Sequence, residues 1–137
     1  MARIVAIDYG SKRTGLAVTD PLQLIATPLA TVETAALMDY LKGYAGKEAV
    51  ECFVVGYPKN LDNTPAEAAR YVDPFLLQLR KQFPGINVAL EDERFTSKIA
   101  FRAMIDGGVK KMDRRNKAMV DKVSAVIILQ SYLERKQ

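Results

Sequence analysis

The order of the short apolar runs restricts this chain to few folds. Residues 3–8 and 14–18 form two such runs, and the loop between them contains Gly10, so we predict an antiparallel hairpin. A third extended stretch covers residues 25–32, where Pro28 favours an edge strand. Strand and helix patterns alternate after that. We therefore predict an α/β domain with a mixed sheet and helices on its faces.

Four helices and two more strands are predicted after the first three strands. Helical patterns cover residues 33–44, 64–83, 96–105 and 119–133, and apolar β-rich runs cover residues 51–55 and 86–90. We expect Gly46 to end the first helix, Gly56 to end the fourth strand, and Pro74 to kink or break the second helix. No repeat, low-complexity segment or linker is visible, so residues 1–137 are expected to form one domain.

Two residue types limit the chemistry. The chain has no histidine and one cysteine, Cys52, which excludes His-based triads, internal disulfides and zinc sites built on imidazole. Cys52 lies in an apolar run, where we expect a buried thiol. A metal ion would be held by carboxylates, backbone carbonyls and water, a donor set that suits Mg²⁺ or Mn²⁺. No apolar run reaches the roughly 20 residues of a membrane span, and the N-terminus lacks a signal-peptide pattern, so a cytoplasmic protein is expected.

Acidic residues follow the first and the last predicted strand. Asp8 comes at the carboxyl end of the first, and the cluster Glu91, Asp92 and Glu93 comes at the carboxyl end of the last. Ligands of open α/β sheets bind beyond the carboxyl ends of parallel strands, so these acids are candidates for a shared site. For Glu91 and Asp92 taken singly, a solvated strand end is the simpler interpretation.

Asp121 is the third candidate carboxylate. Small or apolar residues follow it at helical spacing, so Asp121 is expected on the stripe that packs against the sheet; they are Ser124, Ala125, Ile128, Leu129 and Tyr132. An acid near a helix N-terminus can simply complement the helix dipole. On a buried stripe, however, it carries a desolvation cost unless a partner offsets that cost, and a metal ion shared with Asp8 is such a partner.

Basic residues concentrate just before Asp121. The formal net charge is +4, and the stretch of residues 110–122 contains six basic side chains against two acids; the basic ones are Lys110, Lys111, Arg114, Arg115, Lys117 and Lys122. Charge alone favours a solvated surface and a phosphate-binding edge about equally. Carboxylates from three separate elements can hold one or two divalent ions, which activate water for attack on a phosphodiester. With Lys12 and Arg13 in the first loop, the stretch would hold a nucleic-acid backbone nearby.

Four segments of the chain read AIDYGSKRTGLAVTD, VVGYPKNLDNT, LEDERFTSKIA and VDKVSAVIIL. In this order they resemble the four landmarks of the YqgF-type family of Holliday-junction-resolvase-like nucleases. The resemblance implies a ribonuclease H-like fold, with a five-stranded mixed sheet whose first three strands are antiparallel. It also implies a role in maturing the small-subunit (16S) ribosomal RNA precursor.

The resemblance assigns roles to individual residues. It places the catalytic and metal-binding acids at Asp8, Glu93 and Asp121, and thereby selects Glu93 over Glu91 and Asp92. Arg94 matches a motif position beside the site. Tyr57 stands where the family pattern has a smaller aliphatic residue. The predicted nucleic-acid contacts are Lys12, Arg13, Arg94, Lys110, Lys111, Arg114, Arg115 and Lys117.

The function predicted from these observations is metal-dependent cleavage of structured RNA. One alternative is a resolvase of branched DNA. A two-fold homodimer would suit a four-way junction, but no residue demands one, so a monomer or a homodimer is expected. A second is a non-catalytic nucleic-acid-binding module, but three acids beside a polyanion oppose binding and favour the enzyme. A third is a phosphate-binding kinase or ATPase of the actin and sugar-kinase superfamily. Such enzymes close two domains over the nucleotide, and this chain has room for one.

Overall fold

The computed structural model describes residues 2–57, 69–92 and 117–136. Five strands of these residues form one sheet in the order β3-β2-β1-β4-β5. They are β1 (Arg3–Asp8), β2 (Arg13–Thr19), β3 (Ala26–Glu33), β4 (Val50–Tyr57) and β5 (Asn87–Asp92). Strands β1, β2 and β3 are antiparallel neighbours, while β4 is parallel to β1 and to β5. The predicted mixed sheet, its hairpin and its edge strand β3 are confirmed.

The described residues contain three α-helices: α1 (Leu37–Lys47), α2 (Ala69–Gln82) and α3 (Lys117–Lys136). A short 3-10 turn, Thr34–Ala36, precedes α1. The predicted start of the second helix at residues 64–68 and the whole helix at residues 96–105 lie outside the described residues.

Several predicted boundaries are wrong, among them the start of α1, which is Leu37 and not residue 33, the last residue of β3. Helix α1 continues through Gly46 and ends at Lys47, since a glycine inside a helix costs only about 1 kcal/mol and does not by itself stop it. Strand β4 includes Gly56 and ends at Tyr57, because its ladder with β5 continues to that residue. Of the kink or break predicted at Pro74, the break is wrong, because Pro74 lies inside the continuous helix α2.

Helices cover both faces of the sheet. Val5, Ile7 and Phe53 pack on one face against α1 and α2. The opposite face, which includes Ile4 and Ala6, packs against α3. Successive residues of a strand point to opposite faces. Because β1 is buried on both faces, its continuous apolar run is the pattern expected of a central strand.

No helix of the described ranges is long and apolar enough to cross a membrane. Cys52 is buried in the sheet, as its apolar surroundings predict.

Candidate active site

The carboxyl ends of β1, β4 and β5 meet at one edge of the sheet. Ile7 is level with Val55, and Val55 is level with Leu90. The next row along β4 and β5 pairs Gly56 with Glu91. Asp8 follows Ile7, so its backbone reaches the same edge, where β5 leads into Glu93. The predicted convergence of the first and last strands is therefore present in the backbone.

Asp8 is half-buried on the face of the sheet that packs against α3. Side chains alternate along β1, and Ile4 and Ala6 lie on the α3 face. Asp8 continues this series. Its backbone is fixed by pairing with Gly15 in the ladder to β2. A carboxylate on a rigid central strand, at a sheet edge and beside a helix, is well placed to be a ligand.

Helix α3 packs on the sheet along the predicted stripe. Ser124, Ala125, Ile128 and Leu129 are buried, which confirms the helical spacing. Tyr132 is only half-buried, and Leu133 takes the last core position of the helix. Asp121 is the fifth residue of α3, three positions before Ser124 and four before Ala125. The backbone thus places Asp121 on the helical face that meets the sheet, while its side chain lies outside the description.

Glu91 is not a solvated strand end, contrary to the simpler interpretation of the sequence. It is 7% exposed, and its carboxylate forms an ion pair with the guanidinium of Arg135 in α3, Nε to Oε1, at 3.2 Å. The physical reason is that β5 extends to Asp92, which keeps Glu91 within the sheet and opposite α3. Its negative charge is offset by that of Arg135.

The other predicted site residues differ in how much of each the structure describes. Lys12 is exposed in the loop after β1, and Arg13 is half-buried at the start of β2. Lys117 is the first residue of α3, and its side chain is not described. The remaining ones lie outside the described residues, namely Glu93, Arg94, Lys110, Lys111, Arg114 and Arg115.

Within residues 2–57, 69–92 and 117–136, no three His, Cys, Asp or Glu side chains are grouped to hold a metal ion. Two of the three predicted carboxylates, those of Glu93 and Asp121, lie outside the set of described side chains, so the predicted triad remains a prediction. Asp8 contributes an oxygen ligand of the type that Mg²⁺ and Mn²⁺ prefer.

Two aromatic residues hold this edge against α2. The ring of Tyr9 stacks on Phe75 with a centroid distance of 4.4 Å and an interplanar angle of 19°. Tyr57 donates its hydroxyl to Oδ1 of Asp73 at 3.0 Å. Burial, followed by the hydrogen bond to Asp73 and the charge of Asp73, raises the pKa of Tyr57, which keeps the hydroxyl protonated as a donor.

Asp20, the last acid of the first motif, has a structural role at the far end of β2. Its Oδ1 accepts from the amides of Leu24 and Ile25, both at 2.8 Å, and its Oδ2 accepts from Leu22 at 3.2 Å. These hydrogen bonds, led by that from Ile25, outweigh the opposing desolvation and hold the pKa of Asp20 below its ordinary value of 3.8. Asp20 is thus separate from the site at Asp8.

Comparison with known proteins identifies close relatives. The family model described as "RuvX: Holliday junction resolvase" matches residues 2–135. A protein of Phocaeicola vulgatus is 58% identical over 137 residues, which are 100% of this chain and 99% of the relative. A protein of Bacteroides thetaiotaomicron is 53% identical with the same coverage. Both carry the name "Putative pre-16S rRNA nuclease".

Two solved structures share the fold. The first, "T. thermophilus RuvC in complex with Holliday junction substrate", superimposes with a TM-score of 0.58 at 16% identity, covering 100% of this chain and 98% of that one. The Holliday junction resolvase of fowlpox virus superimposes with a TM-score of 0.56 at 14% identity, covering 97% and 99%. The likeness establishes the ribonuclease H-like fold that the motifs predicted.

Proposed function

The chain belongs to the RuvX family of Holliday junction resolvases, and from this membership we propose that it is a nuclease that processes the 16S ribosomal RNA precursor. It is a hydrolase that acts on phosphodiester bonds of structured nucleic acid. We propose further that residues 1–137 form one nuclease domain that works in the cytoplasm.

The observation that carries the proposal is the position of Asp8. Its half-buried carboxylate stands at the carboxyl edge of β1, on the face that packs against α3. The backbone of β5 reaches the same edge just before Glu93, and α3 carries Asp121 on its sheet-facing side. These backbone positions support the proposal that the three predicted acids share one site at this edge. A binding module without catalysis would gain nothing from negative charge there, because the charge opposes a polyanion.

Asp8, Glu93 and Asp121 would hold one or two Mg²⁺ or Mn²⁺ ions through carboxylate oxygens. A bound ion supplies Lewis-acid chemistry, which lowers the pKa of a water and offsets charge on the phosphate. The chain itself supplies rigidity at Asp8, since the carboxylate stands on a strand buried on both faces. Glu91 is paired with Arg135, which supports Glu93 as the acid available for a metal ion.

Basic side chains around this edge would hold the substrate backbone. Lys12 is exposed in the loop that follows Asp8, and Arg13 is next to it. We assign phosphate contacts to these two and to the sequence-predicted set of Arg94, Lys110, Lys111, Arg114, Arg115 and Lys117. Such contacts position a nucleic acid without reading its sequence. Recognition would then depend on the shape of the folded RNA.

A branched-DNA resolvase is the second candidate function. The description of the family and the junction-bound structural relative favour it. The two candidates differ in substrate and not in the catalytic edge. Incubation of the protein with Mg²⁺ or Mn²⁺ against a precursor ribosomal RNA fragment, a four-way DNA junction and ATP separates them. Cleavage of the RNA supports the first, cleavage of the junction supports the second, and hydrolysis of ATP alone contradicts both.

Asp8→Asn should abolish the metal-dependent cleavage while the protein stays folded. The amide keeps the size and one oxygen acceptor of Asp8 but removes the charge that binds the metal ion. We expect the cleavage rate to fall by a factor of about 10² to 10⁴, because the catalytic ion is no longer held. The melting temperature without metal should stay equal or rise, as repulsion between carboxylates is relieved.

The matched control is Asp39→Asn, the same change at an exposed acid in α1. It should leave cleavage unchanged. A much lower melting temperature for Asp8→Asn would mark Asp8 as a structural residue, and unchanged cleavage by that variant would exclude it as a metal ligand.

A further inference from the structure

Thr34, the first residue of the turn after β3, contacts the loop that follows Asp8 at two points. Its hydroxyl donates to the carbonyl oxygen of Gly10 at 2.6 Å. Its backbone amide donates to the carbonyl oxygen of Lys12 at 2.9 Å. The two acceptors lie on either side of Ser11. One residue, 22 to 24 positions away in the sequence, therefore fixes both sides of the loop tip.

A buried hydroxyl orients Thr34. Thr14 is fully buried in β2, and its Oγ1 lies 3.0 Å from Oγ1 of Thr34. A hydroxyl has a single hydrogen, and that of Thr34 is donated to Gly10. Thr14 must therefore be the donor to Thr34. The result is a directed chain of hydrogen bonds from the core of the sheet through Thr34 to the loop, which strengthens each member.

Asp8 is held by other contacts. Its backbone is paired with Gly15 in the β1–β2 ladder, and Tyr9 is stacked on Phe75. The contacts of Thr34 with the loop lie beyond that point, at Gly10 and Lys12. Ser11 and Lys12 are the exposed residues of this loop. The placement of Lys12 thus depends on Thr34, whereas the placement of Asp8 depends on the sheet.

We propose that Thr34 is a positioning residue that holds the loop so that Lys12 meets the phosphate backbone of the nucleic acid. The inference rests on the proposed function in one respect, namely that the ligand is a nucleic acid. A lysine on a fixed backbone loses less conformational entropy on binding than one on a loose loop. The hydroxyl of Thr34 contributes to that fixation through its hydrogen bond to Gly10, without touching the substrate.

Thr34→Val tests the proposal because valine has nearly the shape of threonine and lacks the hydroxyl. Binding to a fluorescent duplex RNA and to a four-way DNA junction is measured by anisotropy without divalent metal, and cleavage of both is measured with Mn²⁺. We expect Kd and KM to rise about 2- to 10-fold, the range that follows from loosening one or two side chains. The kcat value should stay within about twofold, since Asp8 is held independently.

Three further variants make the result specific. Thr34→Ser keeps the hydroxyl and should restore Kd and KM. Thr27→Val removes a comparable bond, from Thr27 Oγ1 to the carbonyl of Val18 at 3.2 Å at the other end of β3, and should leave both constants unchanged. In a Lys12→Ala background, Thr34→Val should raise neither Kd nor KM further, because the loss of the Thr34 hydroxyl weakens binding only by loosening Lys12. Circular dichroism confirms that each variant is folded at the assay temperature, and Thr34→Ala replaces Thr34→Val if the latter is not.

The proposal is overturned if Thr34→Val lowers kcat while KM and Kd stay unchanged, or if Thr34→Ser binds as weakly as Thr34→Val. It is also overturned if the increases in Kd caused by Thr34→Val and Lys12→Ala are fully additive. Failure of the nuclease function looks different. In that case the wild-type chain binds nucleic acid without cleaving it, and the binding constants alone decide the role of Thr34. A wild-type chain that binds neither probe contradicts both proposals.

Discussion

A β-carbon at position 10 has no room, because a β-carbon built on Gly10 overlaps the carbonyl oxygen of Arg13. The obstacle is backbone at the start of β2, which cannot move aside as a flexible side chain can. The loop between β1 and β2 is therefore closed so tightly that glycine is required for space. This requirement is steric and does not come from an unusual backbone angle.

Gly10→Ala should destabilise the protein by about 1 to 3 kcal/mol, the usual cost of forcing an extra carbon into a packed region. Urea unfolding, analysed with the same m-value for both proteins, measures this change in the free energy of unfolding. Gly43→Ala is the matched control, since Gly43 is exposed in α1 and has nothing within 4 Å of an added β-carbon. Here alanine should stabilise by about 0.5 to 1 kcal/mol through helix propensity. Equal stability of Gly10→Ala and the wild type would show that the loop can relax.

The burial of Glu91 is determined by its surroundings in the fold and not by its neighbours in the sequence. Its neighbours in the sequence are acidic, which favours exposure, yet it is buried and paired with Arg135. The partner lies 44 positions away in α3. Removal of Arg135 would leave a buried charge without its counterion, which generally costs more than the pair contributes.

At the scale of elements, α2 combines a well-placed apolar face with an unfavourable residue. Val72, Phe75, Leu76 and Leu79 are buried against the sheet at helical spacing. Pro74 lies among them but is exposed. The helix continues through the proline because burial of this face outweighs the missing hydrogen bond. Tertiary packing thus overrides local propensity.

Pro74→Ala should stabilise the protein by about 1 to 3 kcal/mol, since alanine restores an amide donor and removes the clash of the proline ring. Leu77→Ala is a control on the same helix, because Leu77 is 70% exposed and its loss should change stability by less than about 0.5 kcal/mol. Thermal and urea unfolding measure both. A loss of stability in Pro74→Ala would mean that the proline ring makes contacts that offset its cost.

For the whole molecule, the distribution of charge matters more than its total. The formal net charge of +4 is modest, but four basic residues fall within the six positions 110–115. Counterion release makes such a cluster a strong source of affinity for a polyanion, with a characteristic dependence on salt.

Replacing Lys110, Lys111, Arg114 and Arg115 with alanine should weaken binding of RNA. The slope of log K against log salt should fall by up to about 3, or about 0.7 to 0.9 for each lost phosphate contact. The control replaces four exposed basic residues of α1 and α2, which are Lys42, Lys47, Arg80 and Lys81. Both variants lower the formal net charge from +4 to zero. Equal losses of RNA affinity in the two variants would show that only total charge matters. Unchanged binding by the variant of residues 110–115 would show that this stretch does not contact the nucleic acid.

The sequence by itself determined the strands, the buried stripe of α3 and the position of Asp8 at the end of β1. These features follow from apolar spacing over a few residues, which each element imposes on its own sequence. Selection of Glu93 among three acids came from the family motif, because periodicity cannot separate adjacent carboxylates. Only the tertiary structure decided the pairing of Glu91 with Arg135 and the contacts of Thr34 with the loop. Each joins groups that the fold brings together, across 44 positions for Glu91 and 24 for Thr34 and Gly10. Apolar spacing over a few residues cannot identify partners that lie so far apart in the sequence, so these contacts become visible only in the folded chain.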